Sequence, residues 1–250
     1  MTGGLLTGWR AVFAREFTGY FATPLATVFL VVFLVASNVF AFYVGDFFGR
    51  GRADLESFFQ FHPWLFLLLA PALAMRLWAE ERRSGTMELL LTLPVSTAGA
   101  TLGKFLAAWA FVGVALLLTW PLWLTVNLLG RPDNGVIVAS YLASWLMAGG
   151  YLAISGCLSA TTRSQTSAFV ASVMLCFLFL VAGLPMVTDF LQGWAPSSLI
   201  GFITSLSFLT HFSAITRGVL DLGDLLYFLA LIIVWLVATV VVVDLKREGA

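Results

Sequence analysis

Long uncharged runs separated by short polar stretches set the pattern of this chain. A membrane-spanning helix takes about 20 mostly apolar residues. Runs of that kind predict helices over residues 21–44, 61–78, 105–129, 136–160 and 166–187, and a sixth over 225–243. Ahead of the first, residues 6–20 mix Trp9, Val12, Phe13 and Phe17 with Arg10, Arg15 and Glu16. That mixture predicts an amphipathic helix lying in the membrane interface. Between the fifth run and the last, residues 191–218 carry no charge from 199 to 215, yet are rich in Gly, Ser and Thr, with Pro196 near their start. They predict a broken, re-entrant pair of short helices rather than a straight span. The fold class expected is therefore all-α and integral to the membrane, a single transmembrane domain over residues 1–250. It has six spans, a helix in the interface before the first and a re-entrant hairpin before the last.

Within the spans, Gly149-x-x-x-Ala153 and Gly156-x-x-x-Ala160 have the spacing that lets helices approach closely. Pro71, Pro121 and Pro185 each fall inside a predicted span and predict kinks. Trp120, Trp123, Trp145, Phe177 and Phe179 read as lipid-facing or helix-packing aromatics, with an apolar substrate route as the alternative.

Composition strengthens the membrane reading. The chain is 60% hydrophobic and only 10% charged, where soluble domains are about a quarter charged. Thirteen Lys+Arg balance 13 Asp+Glu, which leaves no electrostatic case for a nucleic-acid partner. Cys157 and Cys176 lie in apolar runs and read as small hydrophobes. Arg10 and Arg15 precede a run of full spanning length with no small-residue cleavage pattern, so a cleaved leader is not expected. His62 and His211 fall near the outer interface without the further ligands that a metal site needs. The spans are nearly bare of ionisable groups, with Arg76, Lys104 and Asp244 read at their ends. That argues against an ion-coupled carrier, which needs charge at depth. It argues equally against intramembrane catalysis by a Ser/His or paired Asp site.

Six spans with both termini inside place nine of the 13 Lys+Arg on the cytoplasmic side, and Arg50, Arg52, Arg131 and Arg217 outside. A seventh span would move Lys246 and Arg247 outside and weaken this bias. The same orientation makes residues 79–104 a cytoplasmic insert. It holds Glu80, Glu81, Arg82, Arg83, Glu88 and Lys104 in a chain where charge is scarce. Ser84-Gly85 ends one helix. Thr86 is placed to cap the next, with Glu88 in its first turn, where the helix dipole favours an anion. Met87, Leu90 and Leu91 form its apolar face, Pro94 stops it, and Ser96 is placed to cap the following helix. Gly103-Lys104 looks like the end of a phosphate-binding loop. That loop needs a Gly where Ala98 stands and Ser or Thr where Phe105 stands, so no nucleotide site is expected on this chain.

The run from Glu81 to Ser96, ERRSGTMELLLTLPVS, followed by Gly103-Lys104-Phe105, resembles the loop between the second and third spans of ABC-2-type transporter permeases. A second block, Ser207 to Phe212 with Arg217, Gly218, Asp221, Asp224 and Tyr227, is similar to the segment before the last helix in the gliding-motility-type branch, a cousin of the permease of nitrous-oxide-reductase maturation. The resemblance covers essentially the whole chain. It implies an ABC-2, type V exporter-like fold and a second permease copy, with homodimerisation expected. It also implies a cytoplasmic ABC ATPase that carries the ATP and magnesium, so this chain needs no cofactor of its own. The branch adds an auxiliary subunit with a periplasmic domain. By the same carry-over Glu81, Arg82, Arg83, Gly85, Thr86, Glu88, Leu91, Leu93 and Pro94 would couple to the ATPase. His211, Arg217, Asp221 and Asp224 would lie in the outer re-entrant segment, with Arg217 and Asp221 spaced for an ion pair. The expected function is the permease subunit of an ABC transporter in a bacterial inner membrane, not itself an enzyme, working in export or force transmission. The alternative is a non-ABC scaffold or channel subunit. The substrate does not follow from the sequence.

Overall fold

The structure is a computed structural model that describes residues 8–86, 95–193, 195–218 and 221–248, and all regular structure in them is helical. Helix α1 (Trp9–Ala22) precedes α2 (Pro24–Val39), which enters from extended Thr23 with proline in its first turn. A π turn, Phe40–Val44, carries α2 onward. A short α3 (Glu56–Phe59) leads to α4 (His62–Ala74) and α5 (Arg76–Ser84), and these three run as one apolar unit. Likewise α6 (Thr97–Leu117) and α7 (Trp120–Leu129) run together, broken at Leu118 and Thr119. Next come α8 (Asn134–Thr161), α9 (Gln165–Val181), α10 (Pro185–Gln192), α11 (Ser197–Ser205), α12 (Phe208–Thr216) and α13 (Leu222–Glu248). Side-chain caps fix several starts: Ser96 accepts from Gly99 N–H, Asp133 from Gly135 and Val136, Ser164 from Ser167, and Ser207 from Thr210.

Five of these units are long and apolar enough to cross a membrane: residues 26–44, 56–84, 97–129, 134–161 and 222–247. Two further pairs pass the same test only together and are sharply bent, α9–α10 by 72° and α11–α12 by 63°. The predicted fifth span, 166–187, therefore stops short as a straight helix. Leu184 precedes Pro185, is extended (ψ 141°), and cannot continue α9. Pro121 and Pro185 stand in first turns instead of mid-helix; Pro71 lies inside α4, and the break follows it at Met75.

Helix α8 forms the centre, packing against α4, α5, α6, α9, α12 and α13. Its small residues make this possible. A Cβ on Gly149 would stand 2.8 Å from both Ile232 of α13 and Trp109 of α6, and one on Gly150 would stand 3.1 Å from Leu231 and Phe208. Trp109 and Trp145 clasp α6 to α8: their rings stack 4.1 Å apart, and each indole N–H donates to the other's backbone carbonyl (2.8 and 3.1 Å). Trp145 is thus engaged in packing, whereas Trp120 and Phe177 turn outward. His62, at the start of α4, is fully buried within the protein. Its Nδ1 lies 2.8 Å from Ser144 Oγ, and Phe33, Phe58, Phe59 and Phe66 surround the ring.

Candidate coupling site

The charged insert begins on α5, and α5 is bolted to the core before it reaches water. A helix leaves its first four N–H groups without intrahelical partners. In the first turn of α5, Trp78 and Ala79 N–H donate to Ser159 Oγ of α8 (3.1 and 3.0 Å), and the Ser159 hydroxyl donates to the Met75 carbonyl (2.8 Å). Further along, the Arg82 guanidinium donates to the Ala160 carbonyl (2.8 Å), and the Gln165 amide donates to Glu80. Ser159 was not singled out in the sequence. Its signal there is a hydroxyl standing between Gly156 and Ala160 in the small-residue stripe.

The other anchor is Lys104. The sequence places it at a span end, reaching toward water. In the structure α6 starts at Thr97, two turns ahead of Lys104, and buries it to 2% exposure. The ammonium meets Glu81 Oε1 at 2.8 Å and Glu16 Oε1 at 3.0 Å and lies over the Trp78 ring at 5.4 Å. Arg15 reaches the same two carboxylates, at 2.6 Å from Glu16 and 3.3 Å from Glu81. Burial raises the Glu16 carboxyl, but Lys104 and Arg15 outweigh it and hold the group below its ordinary value. Glu16, read from the sequence as one of the charged residues of the interfacial helix, therefore faces the protein. Gly103 explains how α1 comes so near: a Cβ there would stand 2.7 Å from the Trp9 carbonyl oxygen and 2.8 Å from Val12 Cβ. Gly103 and Lys104 thus give the α1–α6 contact its closeness and its charge.

Of the residues expected to couple, Glu81 and Arg82 point into the protein, while Arg83, Gly85 and Thr86 are exposed at the end of α5. Gly85 terminates that helix in the left-handed region (φ 73°), which glycine enters without a Cβ penalty. Thr86 Oγ1 lies 2.9 Å from Ser84 Oγ. Glu88, Leu91, Leu93 and Pro94, with the short helix expected to contain them, lie outside the described residues.

At the opposite end the second block comes together in part. His211 Nδ1 is 2.6 Å from Asp224 Oδ1 and its Nε2 is 2.9 Å from the Ser205 carbonyl, with the ring stacked on Tyr227 at 3.9 Å. The Tyr227 hydroxyl donates to the Leu206 carbonyl (2.6 Å), so α13 grips the bend between α11 and α12. The ion pair expected between Arg217 and Asp221 is not formed. Arg217 closes α12 and turns back on Ser213 (Nε to carbonyl 3.0 Å), while Asp221 caps Gly223 N–H (3.0 Å); the helix is not continuous between them. Asp54, Asp133 and Arg217 line one cavity of about 490 Å³ at this end. Among the described residues no three His, Cys, Asp or Glu side chains come together in the manner of a metal site.

The sequence model of the family described as ABC-2 family transporter protein matches residues 56–246, from α3 to near the end of α13. The chain belongs to that family. A comparison with curated proteins finds no match. Membership makes the ABC-2 chain a multi-pass membrane subunit of an ABC transporter and implies both an ABC ATPase partner and a lipid bilayer around it. Both anchored regions, α5 with Lys104 and the His211–Asp224 bend, fall within the matched residues.

Proposed function

We propose that this ABC-2 permease is driven through the insert that begins at the end of α5, gripped there by a separate cytoplasmic ATPase. The observation that carries the reading is the buried Lys104 junction. It ties α5 to α1 and α6, while Ser159 ties α5 to α8, so a displacement at Arg83–Thr86 is passed to the central helix without slack. Closure of two ATPase subunits on ATP pushes the insert of each of two permease copies, and the ATPase must hold the two permease states with different affinity for that push to do work. Six spans, with α9 crossing and α11–α12 re-entrant, leave both termini in the cytoplasm of a bacterial inner membrane. The permease acts in export or passes force to an outer subunit.

The test is Glu88→Lys in the full-length chain. The variant is expected to insert in the membrane at the wild-type level but to lose co-purification of the ATPase and stimulation of its hydrolysis. A variant that still recruits the motor and supports full stimulated hydrolysis would sink the coupling assignment. A wild-type chain that brings down no ATPase from native membranes would favour the scaffold or channel reading.

A further inference from the structure

Beside the Lys104 junction, between α1 and α5, lies a cavity of about 240 Å³ whose walls include Tyr20, Leu73, Arg76, Leu77, Glu80 and Glu81. The charges around it balance in number but do not all pair with one another. Lys104 and Arg15 are matched by Glu16 and Glu81. Arg76 forms no ion pair among the described residues, although Glu80 stands four residues on, a spacing at which opposite charges on a helix ordinarily meet. Glu80 instead takes the Gln165 amide. Oε2 of Glu81 is buried without a hydrogen-bond partner, an arrangement that costs free energy unless something donates to it. Arg76, without an ion pair among the described residues, and one unsatisfied oxygen of Glu81 thus border one small cavity.

Position narrows what fits. Residues 57–75 carry no Asp, Glu, Lys or Arg, a stretch close to the length of a span, and Arg76 is the first charge after it, which argues for a place near the edge of the hydrocarbon. Glu80 and Glu81 lie a turn further toward water. Leu73 and Leu77 line the deeper wall. Burial, with the Glu16 carboxylate adding to it and Arg76 opposing, pushes the Tyr20 phenol up, which keeps its hydroxyl a donor.

We propose that this cavity holds the headgroup of an aminophospholipid, with phosphate on Arg76 and Tyr20 and the primary ammonium on Glu80 and Glu81. The order along α5, cation deep and carboxylates shallow, is the order of phosphate and amine along such a lipid. A bound lipid would wedge α1 against α5 and make the Lys104 junction sensitive to membrane composition. The site rests on the end of the span alone; only its assignment to the inner leaflet depends on the proposed topology.

The experiment is the melting temperature of the purified full-length chain in detergent, followed by tryptophan fluorescence, during titration with phosphatidylethanolamine, phosphatidylcholine, phosphatidylglycerol or soluble glycerophosphoethanolamine. Phosphatidylethanolamine is expected to raise the melting temperature most. Phosphatidylcholine has no N–H to donate, phosphatidylglycerol has no cation, and the soluble headgroup lacks the apolar anchor. Glu80→Gln should erase the preference for phosphatidylethanolamine over phosphatidylcholine. Arg76→Gln should weaken the apparent affinity for every lipid roughly tenfold or more, as for a lost charge-assisted hydrogen bond. Equal stabilisation by all three lipids, unchanged selectivity in Glu80→Gln, or full stabilisation by the soluble headgroup would each overturn the proposal. No ATPase enters the measurement, so its failure would leave the coupling reading standing.

Discussion

At the scale of single residues, Lys104 has the largest predicted effect. Removing one partner of a buried charge cluster leaves excess charge behind and typically costs about 3–5 kcal/mol; here Arg15 still meets both carboxylates, leaving one negative charge unmatched. Glu16 and Glu81 keep 23% and 15% exposure, so the low end applies. Lys104→Met is therefore expected to destabilise the purified chain by about 3 kcal/mol in thermal unfolding. Adding Glu16→Gln and Glu81→Gln should recover much of that loss, since the repelling carboxylates are then gone. The pH response follows from Glu16. Its carboxyl is lowered in the folded chain, so its stabilising share is fully present above the ordinary value of 4.5 and is lost as pH falls through the folded value. Melting temperature should thus drop on acidification below about pH 4.5. In Lys104→Met that acid-side drop should shrink or reverse, because protonation now relieves repulsion. An unchanged acid profile in the variant would remove Lys104 as the controlling charge.

At the scale of elements, close helix approach decides what the packing tolerates. A methyl on Gly103 meets the Trp9 carbonyl, backbone that cannot rotate away. Gly103→Ala is therefore expected to pry α1 from α6 and cost about 1–3 kcal/mol, the usual range for overpacking. Gly201 in α11 has nothing within 4 Å of an added Cβ, so Gly201→Ala should be neutral or stabilising by up to about 1 kcal/mol. Equal melting shifts in the two variants would contradict the close contact. These cases also show what the chain reveals in one dimension. Element type and the small-residue seam of α8 were readable, because apolar run length and Gly/Ala spacing are local. A helix ahead of the first span was readable for the same reason, and it is observed over Trp9–Ala22, though the inward face of Glu16 was not readable. The inward turn of Glu81, the burial of Lys104 and the two-way use of Ser159 depend on which helices become neighbours. Likewise, the spacing of Arg217 and Asp221 suggested a pair only because the break after Thr216 was not visible in the pattern.

At the scale of the whole molecule, the two ends are chemically segregated, and that bears on how many times the chain crosses the membrane. Glu16, Arg76, Glu80, Glu81 and Lys104 gather at one end, and Asp54, Asp133 and Arg217 at the other. Five long units leave the bent pairs α9–α10 and α11–α12 to set the count, up to seven in all among the described residues. If both pairs crossed, Lys246 and Arg247 would lie on the opposite side from Arg10 and Arg15, against the positive-inside bias. If α9 alone crosses and α11–α12 dips in and returns, Asp189 and Asp221 lie on one side, the outer one. Both are exposed, and both native cysteines are buried. Single Asp189→Cys and Asp221→Cys variants in intact cells should therefore both react with a membrane-impermeant thiol reagent, while a reporter fused after Ala250 reads cytoplasmic. Labelling of Asp189→Cys without Asp221→Cys, together with an external reporter, would mean that α11–α12 spans. The bend that His211 and Asp224 grip would then lie inside a sixth crossing, with α13 the seventh, and the exposed end of α5 would remain the handle in a differently threaded permease.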